Sequence, residues 1–232
     1  MNLSGKLCEV HDAVKFNATK HTYEVDGQSM VAVTTAGGML DKPGLLWGAV
    51  KLTKEGKNHQ EVWNREKEIG TKVHRAFENA ILRSHGLLTL PEQHTAESAY
   101  LSACVSEWLD KVSEEIKWFV PERRLYHPTH GYAGTMDAPA LWLGCPTIFD
   151  VKTCKDADSF YDDWLPQNAA YRAAAEFHTG VEWNGAIIRV PKSGEPPNIL
   201  PLGNDSADFD AFLHLLGLYK WSKRKTKKGK AA

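Results

Sequence analysis

The segment Pro146–Thr153 (Pro-Thr-Ile-Phe-Asp-Val-Lys-Thr) sets an acid and a base inside a run that otherwise reads as a buried β-strand. Successive strand side chains alternate between faces, so Asp150 and Lys152, two apart, point the same way. Charge on a core strand is costly unless it is paired or put to use. An ion pair on a solvated face would satisfy the two residues. So would a divalent metal, a scissile phosphate and an attacking water. Asp-x-Lys alone favours the ion pair, because so short a motif arises by chance; its neighbours change the weighting.

Tyr132–Leu143 and Thr147–Thr153 read as two strands joined at Gly144-Cys-Pro146. Reflection about that turn sets Asp137 across from the region of Asp150 to Lys152. Adjacent carboxylates resist joint ionisation. A hard divalent cation removes the conflict, and oxygen ligation favours Mg²⁺ or Mn²⁺. Lys152 would then orient a metal-activated water or neutralise a phosphate. Gly134, three residues before Asp137, marks a close approach of backbone or ligand. Gln167 and Tyr171 are four apart on a helical stretch, Ser159 to His178, and share a face. Ala169, Ala170, Ala173 and Ala174 let that helix pack tightly on a sheet, where Tyr171 reads either as a hydroxyl donor or as a core aromatic. Upstream, Gly70 and His74 lie one turn apart on a helix predicted over Glu66–Arg83 by Val73, Phe77, Ala80 and Ile81.

Elsewhere the pattern predicts strands around His21–Val25 and Met30–Thr34 with an Asp26-Gly27 turn, and a helical stretch from Leu45 broken near Gly56. Further helices are expected over about Glu92–Lys117, with Tyr100, Ala103, Cys104, Trp108 and Val112 inward, and over Asp205–Arg224. Phe119–Tyr126 and Val181–Val190 read as strands, the latter followed by a Pro/Gly-rich loop to Gly203. This order argues α/β: a central mixed β-sheet flanked by helices, with an N-terminal strand–helix extension. No phosphate-loop or dinucleotide-binding glycine motif is present.

No run is long and apolar enough to cross a bilayer, and no secretory pattern opens the chain, so a cytoplasmic protein without membrane partners is expected. The four cysteines, Cys8, Cys104, Cys145 and Cys154, are scattered and read as reduced thiols. Net charge is −1, but seven basic and no acidic residues occur from Lys220 onward, leaving the remainder near −8. Such a tail suits a polyanion or simply solubilises the end of the chain.

Gly70-x-x-x-His74, Gly134-Thr-Met-Asp137, Asp150-x-Lys152 and Gln167-x-x-x-Tyr171, in this order, resemble the RecB-like exonuclease branch of the PD-(D/E)XK nuclease superfamily. Val33-Thr-Thr35 and Leu45-Leu-Trp47 are similar to the entry segment of phage-type and mitochondrial-genome-maintenance-type members. The resemblance implies a restriction-endonuclease-like core and a metal-dependent DNA exonuclease acting at ends of single-stranded or processed DNA in recombination, repair or phage DNA metabolism. Its products would be a 5′-phosphate and a 3′-hydroxyl. A structure-selective endonuclease and an inactive DNA-binding module are the alternatives. His74, Asp137, Asp150 and the Val151 carbonyl would be ligands of one or two Mg²⁺ or Mn²⁺ ions. Lys152 would be the catalytic lysine, with Gln167 and Tyr171 supporting it. Glu122 would be a second-metal ligand or an ion-pair partner of Arg123 or Arg124. Some relatives carry a four-cysteine iron–sulfur site; the cysteine positions here imply none. One domain over 1–232 is expected, with an N-terminal extension (1–65), a nuclease core (66–190), a C-terminal helix region (191–219) and a basic tail (220–232). In the host cytoplasm, if phage-encoded, DNA would be the substrate, and a recombination or single-strand-binding protein a partner. Arg123, Arg124, Lys155, Arg172, Lys223 and Arg224 would contact DNA phosphates, and Trp47 and Trp164 would be available to stack on bases.

Overall fold

The computed structural model describes residues 2–224. It begins with a helix, α1 (Leu3–Ala13), ahead of the first predicted strand. Only Leu7 and Val10 of α1 are buried, one turn apart, so its helical signal is faint in sequence. Three strands follow, β1 (Lys15–Asn17), β2 (Thr22–Val25) and β3 (Gln28–Ala32), with Gly27 at φ +77° in the predicted turn. Next come α2 (Val33–Gly37), α3 (Pro43–Lys54), α4 (His59–Ser84) and α5 (Ala96–Lys111). Gly56 at φ +72° makes the expected break between α3 and α4. Helix α5 is shorter than predicted: Thr95 and Ser98 form a reciprocal cap at its start. Its inward residues include Leu101, Val105, Trp108 and Leu109, whereas Tyr100 is exposed.

The rest of the chain comprises β4 (Ile116–Trp118), β5 (Arg123–His127), β6 (Tyr132–Met136), β7 (Ala138–Trp142), β8 (Cys145–Cys154), α6 (Trp164–Thr179), β9 (Asn184–Pro191), β10 (Asn198–Leu202) and α7 (Ser206–Lys223). β10 occupies the expected Pro/Gly-rich loop. The α/β class is as predicted, but the strands form two mixed five-stranded sheets, ordered β1-β2-β3-β6-β5 and β10-β9-β8-β7-β4. The N-terminal strands are not peripheral, since β3 pairs in parallel with β6.

The split into two sheets explains two departures from the predicted strands. The single strand expected over Phe119–Tyr126 is divided: β4 pairs with β7 in one sheet and β5 with β6 in the other. The chain turns between them at Pro121-Glu122, where Glu122 has φ +54°. The strand expected over Tyr132–Leu143 is likewise cut at Asp137, where the chain leaves one sheet and enters the other.

Strand β8 is buried on both faces, as parallel-type central strands are. Phe149 and Val151 pack with Ile69, Val73 and Phe77 of α4. Ile148, on the other face, packs with Ala170 and Ala174 of α6. Asp150 and Lys152 share the face of Ile148 by strand alternation, so they look toward α6. Among the described residues, no helix is long and apolar enough to cross a membrane. Residues 225–232, with most of the predicted basic tail, lie outside the described region.

Candidate active site

Strand β7 runs beside β8 only as far as Ala138, opposite Phe149. Beyond that point the edge of β8 has no strand partner on this side. The amide of Val151 would be an orphan donor there, and it donates instead to Asp137 Oδ2 at 2.7 Å. Asp137 thus sits where the two sheets part, and its carboxylate closes the open edge. The same oxygen lies 3.5 Å from His74 Nδ1 on α4. Val151 presents its N–H to this carboxylate, while its side chain belongs to the core.

Glu122 enters from the turn between the sheets; its amide donates to the Asp137 carbonyl at 2.8 Å. Donor atoms of His74, Glu122 and Asp137 all lie within 4.8 Å of one another. Burial and the charges of Asp137 and Glu78 push the Glu122 carboxyl up to about 9. Among the described residues Glu122 makes no ion pair with Arg123 or Arg124, so the ion-pair alternative is not realised. Glu78, absent from the sequence-based site, stands one turn after His74 on α4. Its carboxyl is raised by burial and by Asp137, although Arg75 Nη1 bonds it at 3.0 Å.

Asp150 and Lys152 form the second half of the site. Asp150 is 2 % exposed. Its Oδ1 accepts from Gln167 Nε2 at 3.0 Å, and its Oδ2 lies 2.6 Å from Lys152 Nζ. That contact is an ion pair without hydrogen-bond angles, leaving Oδ2 buried with no properly directed donor. Burial raises the Asp150 carboxyl against the pull of Lys152. The Lys152 ammonium donates to Gln167 Oε1 at 3.4 Å, and the neighbouring carboxylates raise its pKa against burial. One glutamine amide therefore holds both members of the pair.

Tyr171, one turn beyond Gln167, is buried in the core beneath this pair. Its ring takes the space a Gly134 side chain would need: a Cβ at 134 would stand 2.7 Å from Tyr171 Cε1. Gly70 is also a close contact, since a Cβ there would stand 3.3 Å from Thr153 Oγ1.

The structure does not bring all the predicted phosphate contacts to this site. Arg124 is spent on α1, with Nη1 donating to the Val14 carbonyl at 2.6 Å and Nη2 2.7 Å from His11 Nε2. Arg172 is 7 % exposed and donates to Asn204, where nearby Glu176, Glu182 and Asp208 face it. Arg123 donates to the Val120 carbonyl. Lys155 is exposed and 3.7 Å from Asp156. Lys223 and Arg224 lie over the Tyr219 and Trp221 rings at the end of α7. Trp164 is buried, contrary to its expected availability for stacking, whereas Trp47 is exposed.

No family model and no curated protein matches this chain. Among solved structures, a candidate exonuclease from Eubacterium rectale is similar over 83% of this chain and 79% of its own, with 14% identity and a TM-score of 0.53. The fold is shared. An alkaline exonuclease from Laribacter hongkongensis is similar over 83% of this chain and 87% of its own, at 10% identity and a TM-score of 0.41.

The donor set fits a hard divalent cation. Carboxylates from Glu122 and Asp137 and an imidazole from His74 crowd together, and Asp150 keeps a buried, undirected oxygen nearby. Such a group of like charges is costly until a cation joins it.

Proposed function

We propose that this chain is a metal-dependent deoxyribonuclease of the RecB-like PD-(D/E)XK type, acting as an exonuclease at DNA ends. The carrying observation is the adjacency of two groups: the His74–Glu122–Asp137 cluster and the Asp150–Lys152 pair held by Gln167. The fold shared with a candidate exonuclease supports it.

His74, Glu122, Asp137 and Asp150 would hold Mg²⁺ or Mn²⁺. The bound ion would activate a water and neutralise charge at the scissile phosphate. Lys152 meets two acceptors, Asp150 Oδ2 and Gln167 Oε1, and so serves as a cation. An ammonium has three N–H groups; one donates to Gln167 Oε1, which leaves two to orient the attacking water or a phosphate oxygen. Gln167 fixes Lys152 and Asp150 together, and Tyr171 beneath them supports α6 against β6. Burial of Asp150 lowers the local dielectric and strengthens each of these contacts in the transition state.

The test is hydrolysis of end-labelled single-stranded DNA and closed circular DNA with Mg²⁺ or Mn²⁺, by wild type and Lys152→Ala. Metal-dependent release of nucleotides from ends by wild type alone is expected. No cleavage, or equal cleavage by both proteins, overturns the reading; cutting of closed circles replaces the exonuclease with an endonuclease.

A further inference from the structure

Every other helix of the described chain buries at least two residues, but α3 buries none. Its largest side chains, Leu46 and Trp47, are 66 % and 70 % exposed. A segment that buries so little apolar surface opens at little cost, independently of the core. Its far end offers a pivot, since Gly56 takes φ +72° before α4 begins. Its near end is tied by charge: Lys42, the N-cap of α3, lies 2.5 Å from Asp163, the N-cap of α6.

Asp163 is free to make that tie for a local reason. An N-cap carboxylate ordinarily accepts from the second or third amide of its helix. In α6 the third residue is Pro166, which has no N–H, and the second, Leu165, donates its amide to the Asp162 carbonyl at 3.3 Å. The Asp163 side chain caps nothing. It stands four residues before Gln167 on the same face of α6, and Gln167 holds both Asp150 and Lys152. The starts of α3 and α6 flank a cleft of about 600 Å³, lined by Leu40, Pro43, Leu45, Tyr161 and Trp164 among others. Lys42 and Asp163 tie its two walls together, one turn of α6 from the reactive pair. Both side chains are partly exposed, and an ion pair of that kind is weak and screened by salt.

We infer that α3 is a gate for the candidate active site and that Lys42–Asp163 is its latch. Latched, α3 stands against the start of α6 beside Gln167. Released, it swings about Gly56 and clears the approach to Lys152. The inference rests on the nuclease reading for what passes the gate, and adds how access is controlled. The closed cleft refuses phosphates, since Asp41, Asp162 and Asp163 line it against the single lysine Lys42. Asp41 and Lys42 leave with α3 when it opens. Charge holds the closed form in place of apolar packing, so salt loosens it and no buried side chain has to be exposed for the helix to move.

The test uses the full chain. Hydrogen exchange over Pro43–Lys54 is compared with that over residues 69–81 of α4, in wild type, in Lys42→Gln and in the charge-reversed pair Lys42→Glu with Asp163→Lys. Lys42→Gln should speed exchange in α3 about threefold, on the scale of an exposed ion pair, and leave α4 unchanged. The reversed pair should exchange as wild type does, and wild type should approach Lys42→Gln as salt rises. In parallel, Lys42→Cys with Asp163→Cys is bridged by a short bis-methanethiosulfonate that reductant removes. Each single cysteine variant controls for the native thiols, of which Cys145 is exposed. Bridging should lower kcat/KM on DNA at least about tenfold, as a gate that cannot open does, and reductant should restore it. Unchanged α3 exchange in Lys42→Gln, equal acceleration in α4, or cleavage indifferent to the bridge overturns the gate and leaves the nuclease reading standing. The expected exchange pattern with no DNA cleavage by any of these proteins removes the nuclease reading and leaves the latch.

Discussion

Asp137 Oδ2 accepts the Val151 amide at 2.7 Å, so the carboxylate that closes the open edge of β8 also belongs to the acid cluster. The two duties separate by substitution. Asp137→Asn keeps an oxygen for the amide and loses the charge; Asp137→Ala loses both. Cleavage should fall at least about a hundredfold in each, on the scale of losing one electrostatic partner in a preorganised site. Stability should not fall in parallel. With chelator present, Asp137→Asn should unfold near the wild-type urea midpoint, because the amide oxygen still accepts from Val151. Asp137→Ala should lose about 1–3 kcal/mol through the unsatisfied amide. Equal destabilisation in urea melts would mean the amide bond contributes nothing.

Gly134 and Tyr171 form a second coupled pair. A Cβ at 134 would meet Tyr171 Cε1 at 2.7 Å and Val33 at 3.1 Å, a contact the buried ring has no room to relieve. Gly134→Ala should cost about 1–3 kcal/mol, as overpacking does, and should shift Gln167 through α6, lowering kcat as well. Tyr171→Leu in the same chain should recover part of the stability. A Gly134→Ala protein with wild-type melting and kcat would show that α6 does not rest on this contact.

These pairs mark what was legible in the sequence. Asp137 comes to the Asp150–Lys152 segment, at the Val151 amide, because a single turn determines which residues of β7 and β8 stand opposite, a rule that operates over a few residues. Gln167 follows from helical spacing for the same reason. Glu78, four residues after His74 on one helix, carries the same helical-spacing signal. The partition of the strands into two sheets was not legible, since it depends on pairing between β3 and β6, far apart in the chain. Nor was the fate of Arg124, which His11 captures from 113 residues away. A basic residue in sequence has charge but no address.

Glu122 sets a pH dependence that a bound cation should remove. Its folded pKa, about 9, lies above the ordinary carboxyl value, so the folded state binds the extra proton between about pH 4.5 and 9. Stability in chelator should therefore decline as pH rises through that window and level off above it. Glu122→Gln should flatten the decline. Saturating Mg²⁺ or Mn²⁺ should remove it and raise stability, by about 2.7 kcal/mol at a hundred times Kd. Thermal melts at several pH values, with and without metal, read all three effects. A melting temperature indifferent to metal in wild type would argue against the cluster as a cation site.

His127 works in the opposite direction, away from the site. It is buried against His130, Tyr132 and Phe177, its Nδ1 has no hydrogen-bond partner, and burial with the neighbouring His130 and His178 lowers its pKa to about 4. The unfolded chain binds the proton first, so His127 contributes a loss of stability as pH drops from about 6.5 to 4, approaching about 1.4 kcal/mol per unit and opposing the gain from Glu122 where the two windows overlap. His127→Gln should remove that contribution, leaving the similar one of His11, whose pKa burial also lowers to about 4, and the Glu122 effect above pH 7. Urea midpoints at pH 4.5, 5.5 and 6.5 distinguish the two proteins; parallel declines would place the titrating group elsewhere.

The end of α7 offers a further basic surface. Lys220, Lys223 and Arg224 line a groove of about 380 Å³ with His21 of the turn before β2, Ser29 of β3 and Thr35 of α2. Lys220 reaches the His130 carbonyl at 2.7 Å, which holds the end of α7 beside that sheet. If this groove carries DNA phosphates, Lys223→Glu with Arg224→Glu should weaken binding of single-stranded and duplex DNA alike. The slope of log affinity against log salt should become shallower by about one unit or more, as expected for lost phosphate contacts. Anisotropy titrations from low to moderate salt read both quantities, and an unchanged slope in the double variant would remove the groove from the DNA path.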